Sequence, residues 1–273
     1  MQKKKVMRRI SLIIIFLVVF SCKTNPFTGK NTLNFKSNST LFPMAFTQYS
    51  TFLKENEVVM GTSEAEMVKR VGQRIAKAAQ MWAEAIGHKD YLKDYKWEYN
   101  LVHDKQANAW CMPGGKIVVY TGILPITKSE EGLAVVMGHE VAHALLDHGA
   151  QRMSASDIQM LGAIVGNVAL HDSKYKDTFN AAYAPATQIL GMLPYSRSHE
   201  TEADEIGIQL MAIAGYNPEE APKLWERMQA NSSGQSLEIL STHPSNASRI
   251  ANLKNWVPKA KSEAAKYGIT TFK

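Results

Sequence analysis

The run HEVAHALLDHGAQRM, His139 to Met153, decides how the rest of the chain is read. His139 and His143 are four residues apart in a segment, about Ser129 to His148, that reads as helix. Four residues along an α-helix bring two side chains back to within about 40° around the axis. Both imidazoles then point the same way and can share one metal ion. Glu140 stands beside them, where a carboxylate can take a proton from the attacking water without being a ligand itself. Three fixed positions are only suggestive, because a catalytic zinc site takes three protein ligands and keeps a further position open.

The third ligand has to come from downstream. A metzincin arrangement needs Gly at 146 and His at 149; this chain has Leu146 and Gly149, with His148 displaced by one. The other common solution is a carboxylate from a second helix, and Ser198 to Gly207 supplies Glu200, Glu202, Asp204 and Glu205 in a helical context. Glu200 and Asp204 share a face at four-residue spacing, so one can ligate the metal while the other orients a histidine. Glu202 and Glu205 read as a solvated face. His148 reads as a packed or helix-end histidine near the C-terminal dipole, and His88, His103 and His171 as surface residues.

Upstream of the motif, Met67, Val71, Ile75, Ala78 and Trp82 recur at helical spacing, which predicts an amphipathic helix from Ser63 to Ala85. The period then changes to that of strands over Tyr95–Val102 and Lys116–Tyr120, with Pro113, Gly114 and Gly115 as a turn signal between them. The expectation is a small antiparallel sheet in which Asn108 to Met112 form or flank a strand. Asn108, Ala109 and Trp110 could hold an extended peptide by adding it to the sheet edge. Downstream the chain reads as a long mixed stretch to Tyr195, a helix over Ser198–Ala214 capped by Gly215, and a further helix opened by Asn217 and Pro218.

The first 21 residues stand apart, with Lys3, Lys4, Lys5, Arg8 and Arg9 leading into an apolar run from Leu12 to Phe20. That is the anatomy of a secretory signal, with an uncleaved anchor helix as the alternative. Val19, Phe20, Ser21 and Cys22 resemble a bacterial lipobox, which would make Cys22 the lipidated first residue. Five of the 31 basic residues and none of the 25 acidic ones precede Cys22. The remainder is therefore close to neutral and gives no argument for a nucleic-acid partner. Only Cys111 is left beside a lipidated Cys22, so no internal disulfide is expected. The domain reading is a signal over 1–21, a lipidated tether and linker over 22–52, and a zinc metallopeptidase domain over 53–273.

Taken in order, HEVAHALLDHGAQRM, SRSHETEADEIG (196–207) and STHP (241–244) resemble the integral-membrane CAAX endopeptidase and HtpX class of zinc metallopeptidases, in particular its soluble periplasmic lipoprotein branch. The opening CKTNPFTGK and the segment NAWCMPGGKIVVYTGIL are similar to that branch as well. The resemblance implies an α+β, predominantly helical fold. It would have a zincin-like gluzincin core: the HExxH helix, a second ligand-bearing helix and a small antiparallel β-sheet. It implies one zinc per chain on His139, His143 and Glu200, with Glu140 as catalytic base and Asp204 behind the ligands. His243 matches a family motif near the active site, as an extra ligand, a transition-state hydrogen bond or plain loop structure. Arg249 either reaches the cleft as a cation or makes a helix-surface salt bridge.

The resulting expectation is a membrane-anchored zinc metalloendopeptidase that hydrolyses unfolded or misassembled envelope proteins. It would be periplasmic and lipid-anchored to the outer membrane, since Lys23 rather than Asp follows Cys22. Its partners would be protein or peptide substrates and, through the lipid, a membrane; the sequence carries no signal of oligomeric state. A zinc-regulated chaperone or assembly factor with little proteolysis is the alternative. A purely structural lipoprotein is disfavoured by an intact Glu140.

Overall fold

The computed structural model describes residues 22–231, 238–243 and 247–273. The stretch before Cys22, on which the signal reading falls, and Pro244 lie outside the described residues. A short hairpin, β1 (Cys22–Thr24) and β2 (Asn31–Leu33), is followed by α1 (Asn38–Glu55), β3 (Val58–Val59) and α2 (Ser63–Ala85). Then come β4 (Glu98–Val102), β5 (Ala109–Met112), β6 (Lys116–Tyr120), a short α3 (Leu124–Thr127) and α4 (Glu130–Leu145). After these, α5 (His148–Ala169) and α6 (Lys176–Thr187) form a hairpin that returns through a π-helical turn, Gln188–Met192. The chain closes with α7 (Leu193–Ile213), α8 (Glu220–Asn231), α9 (Glu238–Thr242) and α10 (Ala247–Ala265).

The helix over 63–85 forms as its periodicity predicts: Val71, Ile75, Ala78 and Trp82 are buried, and the Thr62 hydroxyl caps its start by accepting from the Ala65 amide. The β5–β6 hairpin is antiparallel and turns on Gly114 and Gly115, both at positive φ. β4 joins this hairpin in parallel, and the sheet order is β3-β4-β6-β5. Alternation along the strands divides the core. Leu101, Ile117 and Val119 face the main helical body, whereas Val102 and Val118 meet Tyr49 of α1 on the other side. The stretch read as a linker therefore includes a helix that covers one face of the sheet.

Helix α4, which carries His139 and His143, is buried from Gly132 to Leu145, the state expected of a helix with apolar residues all round. Ser129 caps it, accepting from the Gly132 amide at 3.1 Å. It crosses α7 with backbones in contact: a Cβ at Gly138 would lie 2.9 Å from the Gly207 carbonyl oxygen, and one at Gly207 would lie 2.9 Å from the His139 Cα. Only paired glycines permit that approach, and it brings Glu200 and Asp204 to the histidine face of α4. The helix over 198–214 is thus longer at its start than its sequence suggests. The mixed stretch before it is the α5–α6 hairpin.

Candidate metal centre

His139, His143, Glu200 and His243 each offer a ligand atom, and the four atoms lie within 4.8 Å of one another. The Nε2 atoms of His139 and His143 are 3.1 Å apart. Each is 3.3 Å from an oxygen of Glu200. His243 Nδ1 lies 3.1 Å from His139 Nε2 and 2.8 Å from Glu200 Oε2. Two nitrogens held 2.0–2.1 Å from a tetrahedral ion would be about 3.3 Å apart, so the spacing suits a metal.

The chemistry of the donor set argues the same way. His139 Nδ1 is 3.0 Å from the Asp204 carboxylate, which fixes its ring proton there and turns the Nε2 lone pair inward. His143 Nδ1 is 2.8 Å from His148 Nδ1, and His148 Nε2 is 3.3 Å from Glu202 Oε2. With the His143 Nε2 lone pair directed at the cluster, its Nδ1–H donates to His148, and the His148 Nε2–H donates to Glu202. Lone pairs and a carboxylate crowded around one point repel each other unless a cation sits among them. The metal-free site accordingly holds a proton tightly. Burial pulls the His139 imidazole down, but Asp204 and Glu200 outweigh it and lift the pKa to about 9. Burial would raise the Glu200 carboxyl, and the three histidines instead hold it far below the usual carboxylate range. Burial pushes the His143 imidazole well down, as suits a neutral ligand.

Glu140 is buried beside this cluster, and its Oε1, 3.4 Å from His243 Nε2, makes no hydrogen bond. A buried, unsatisfied carboxylate oxygen is costly, and it marks a group that awaits a partner. The cleft in front of it, a cavity of about 420 Å³, is lined by Asn108 and by Ala109, Trp110 and Cys111 of the edge strand, together with His143, Arg152 and Ser196. Asn108, Ala109 and Trp110, singled out from the sequence, thus face the same space as Glu140.

Arg249 makes no surface ion pair; it approaches the cluster as a cation, 3.4 Å from Glu200 Oε2 and 3.3 Å from the His139 ring. Its guanidinium is buried over the Trp225 ring, 3.5 Å from the centroid, and donates to Asp204 at 2.5 and 2.8 Å and to the His243 carbonyl at 3.3 Å. It is a clamp for Asp204 and for the His243 loop. Glu205 has the solvated role expected, paired with Lys259. Glu202 does not: it receives His148 on one oxygen and Lys30 at 2.6 Å on the other, and these partners hold its carboxyl at about 2. His148 is fully buried and opens α5 rather than ending α4. His199, which no motif marks, stacks on His148 with centroids 4.0 Å apart and lies 3.2 Å from Gln151 Oε1. Local spacing could not have found either histidine. Five residues do not share a helix face, and His148 comes back to His143 because Asp147 adopts the left-handed conformation, φ 56°, and bends the chain.

Two inward-facing histidines on a buried helix, a carboxylate from a crossing helix and a waiting glutamate define a zincin-like metallopeptidase centre. The model for peptidase family M48 matches residues 62–257, and the chain belongs to that family. It is 39% identical over 175 residues to the mitochondrial metalloendopeptidase OMA1 of Schizosaccharomyces pombe, covering 62% of this chain and 49% of that protein. To OMA1 of Saccharomyces cerevisiae it is 36% identical over 205 residues, covering 71% and 56%. To the beta-barrel assembly-enhancing protease of Escherichia coli K12 it is 30% identical over 181 residues, covering 62% and 36%. The chain thus spans about half the length of the OMA1 relatives it matches.

Family membership bears out the metallopeptidase reading, but these relatives do not single out the lipoprotein branch. The expected periplasmic, outer-membrane location is corrected: the OMA1 relatives are mitochondrial by name and point away from it. The physical reason is that a basic stretch ahead of an apolar run is a signal for membrane delivery in general. Basic, acid-poor leaders serve several compartments.

Proposed function

We propose that this chain is a zinc-dependent endopeptidase that acts at a membrane, in protein quality control, on polypeptides that are unfolded or misassembled. The observation that carries the reading is the unsatisfied Glu140 oxygen beside four converging ligand atoms. His139, His143 and Glu200 would hold the zinc, which when bound supplies Lewis acidity to the substrate carbonyl and the attacking water. Glu140 takes the proton from that water and delivers it to the leaving amine. Asp204 and His148 keep the two ligand rings in the tautomer that presents Nε2. Asn108, Ala109 and Trp110 bind the substrate backbone along the open edge of β5, a mode that reads main chain more than side chains and suits unfolded polypeptides. Cys22 is the proposed point of lipid attachment.

Glu140→Gln keeps size and shape but cannot accept the proton. Zinc content should be unchanged while casein cleavage falls at least ~10²-fold. Cleavage that survives the change would remove Glu140 from the chemistry.

The position of His243, in contact with Glu200 and His139, favours a second reading in which its ring restrains the site and the resting protein acts as a chaperone or assembly factor. His243→Ala should then retain zinc and cleave faster, itself included. A slower variant would instead make His243 a stabiliser of the transition state.

A further inference from the structure

Exposed large apolar side chains are concentrated on the α5–α6 hairpin and the turn that follows it. Val168 is 73% and Leu190 80% exposed, and α6 contains no buried residue. A contiguous apolar surface of this kind is rare on a soluble chain and marks a contact site. On a helix turning about 100° per residue, Met153, Met160, Leu161, Ile164, Val165 and Val168 fall on one side of α5. The side that meets α6 is different: a Cβ at Gly162 or Gly166 would strike Tyr183 or Phe179. The cleft lies on that same far side, nearer the start of the helix, because His148 and Arg152, which face the metal centre and its cavity, lie roughly opposite the apolar stripe. A substrate chain in the cleft would therefore not reach the stripe.

The N-terminal segment does reach it. The Phe35 amide donates to the Ser154 hydroxyl, Lys36 pairs with Asp157 at 2.5 Å, and Lys23 pairs with Asp147 at 2.9 Å. Ser154 and Asp157 are on the same side of α5 as the stripe, and the Lys36 pair neutralises the acidic group on that side. Phe35, itself exposed, extends the apolar surface toward β2. The described chain begins at Cys22, one residue from Lys23, and the sequence before it is the apolar run Leu12–Phe20. If Cys22 carries a lipid, or if that run is kept as an anchor, Cys22 lies at a membrane surface, and the base of α5 lies there with it.

We propose that the α5–α6 hairpin is a membrane-docking element whose α5 stripe lies in the headgroup and acyl boundary of the bilayer that receives the N-terminus. Among the described residues no helix is long and apolar enough to cross a membrane, and the proposed contact is an interfacial one. Such a contact fixes the orientation of the cleft, which faces away from the lipid on the opposite side of α5. The proposal rests on membrane attachment near Cys22, and the test separates the two.

The full chain, carrying a photoreactive diazirine residue in place of Val168, is reconstituted with phosphatidylcholine–phosphatidylglycerol vesicles, irradiated and analysed by mass spectrometry. The control carries the same residue in place of Met60, exposed beyond the far edge of the sheet. Lipid adducts at position 168 and not at 60 are expected, and Ile164→Glu combined with Val165→Glu should reduce them by about tenfold or more at unchanged zinc content. Adducts to residues 12–20, to a second copy or to water alone, with the protein on the vesicles, overturn the proposal and leave the anchor intact. A chain that does not associate with vesicles overturns both.

Discussion

The two candidate ligands on α4, His139 and His143, are supported in contrasting ways. His139 leans on Asp204, a buried carboxylate gripped by the buried Arg249, which itself lies on Trp225. His143 leans on another imidazole, His148, whose proton goes to Glu202, a partly exposed carboxylate held by the surface residue Lys30. The first support is part of the core, where a charge without its partner is costly. The second runs from the core to solvent and ends on the N-terminal hairpin, so it can weaken by degrees. The contrast teaches that one site can tie its two rings to different parts of the fold, both by way of α7, but one ending in α10 and the other in α5 and the β1–β2 hairpin.

The comparison breaks most sharply at Asp204. Asp204→Ala takes from the buried Arg249 the carboxylate that it grips most closely, leaving Glu200 at 3.4 Å, so stability should fall by about 3–5 kcal/mol in denaturant titrations. Zinc affinity should fall on the order of 10-fold to 100-fold. An unchanged unfolding midpoint would show that the Arg249 clamp does not stabilise the fold.

Gly207→Ala tests the helix crossing that both supports presuppose. Its Cβ would press on the His139 backbone, so α4 and α7 must separate. A loss of about 1–3 kcal/mol is expected, together with weaker metal binding, measured by calorimetry on the metal-free and loaded protein. Full stability would mean the two helices have room to spare.

His148→Leu should act on the metal rather than the fold, lowering zinc affinity on the order of 10-fold to 100-fold in a chelator competition. His148→Gln, which can still accept from His143 and donate to Glu202, should recover much of it. Equal losses in the two variants would make His148 a packing residue only.

The pH dependence sharpens the His139 side. Its metal-free pKa is raised to about 9 against an ordinary 6.5, so at pH 7 an incoming metal must displace a proton. Affinity should rise by roughly tenfold per pH unit and level off above about 9. Stability of the metal-free protein runs the other way, because a raised pKa contributes stability that is complete below 6.5 and is lost as pH rises through about 9. A metal affinity that is flat from pH 7 to 9 would contradict the raised value.

The smallest effect belongs to Lys30. Its ammonium is well exposed, and pairs of that kind contribute about 0–1 kcal/mol. Lys30→Ala should change zinc affinity by no more than about fivefold, a change that 0.5 M salt reproduces in the wild type. A loss as large as that of His148→Leu would move the weight of the second support onto the N-terminal hairpin.

The sequence by itself determined whatever depends on spacing within one element. His139, Glu140 and His143 were legible because a helix repeats every 3.6 residues, Glu200 and Asp204 for the same reason, and the strand over 116–120 because β-branched residues favour extended backbone. It also offered two carboxylates on one face without saying which meets the metal; the HtpX-class resemblance pointed to Glu200. Only the tertiary structure decided how the pieces meet. The paired glycines 138 and 207 set the approach of α4 and α7, and left-handed Asp147 turned His148 back onto His143. Burial of Arg249 over Trp225 made a clamp of a residue that, by sequence, could equally have been a surface charge. Glu202, a solvated residue by its helical position, became the end of a hydrogen-bond chain because β1–β2 delivers Lys30 and α5 delivers His148 to the same spot. Apart from His143–His148, which a local bend brings together, these are contacts between residues tens to more than a hundred positions apart, and no local period encodes any of them.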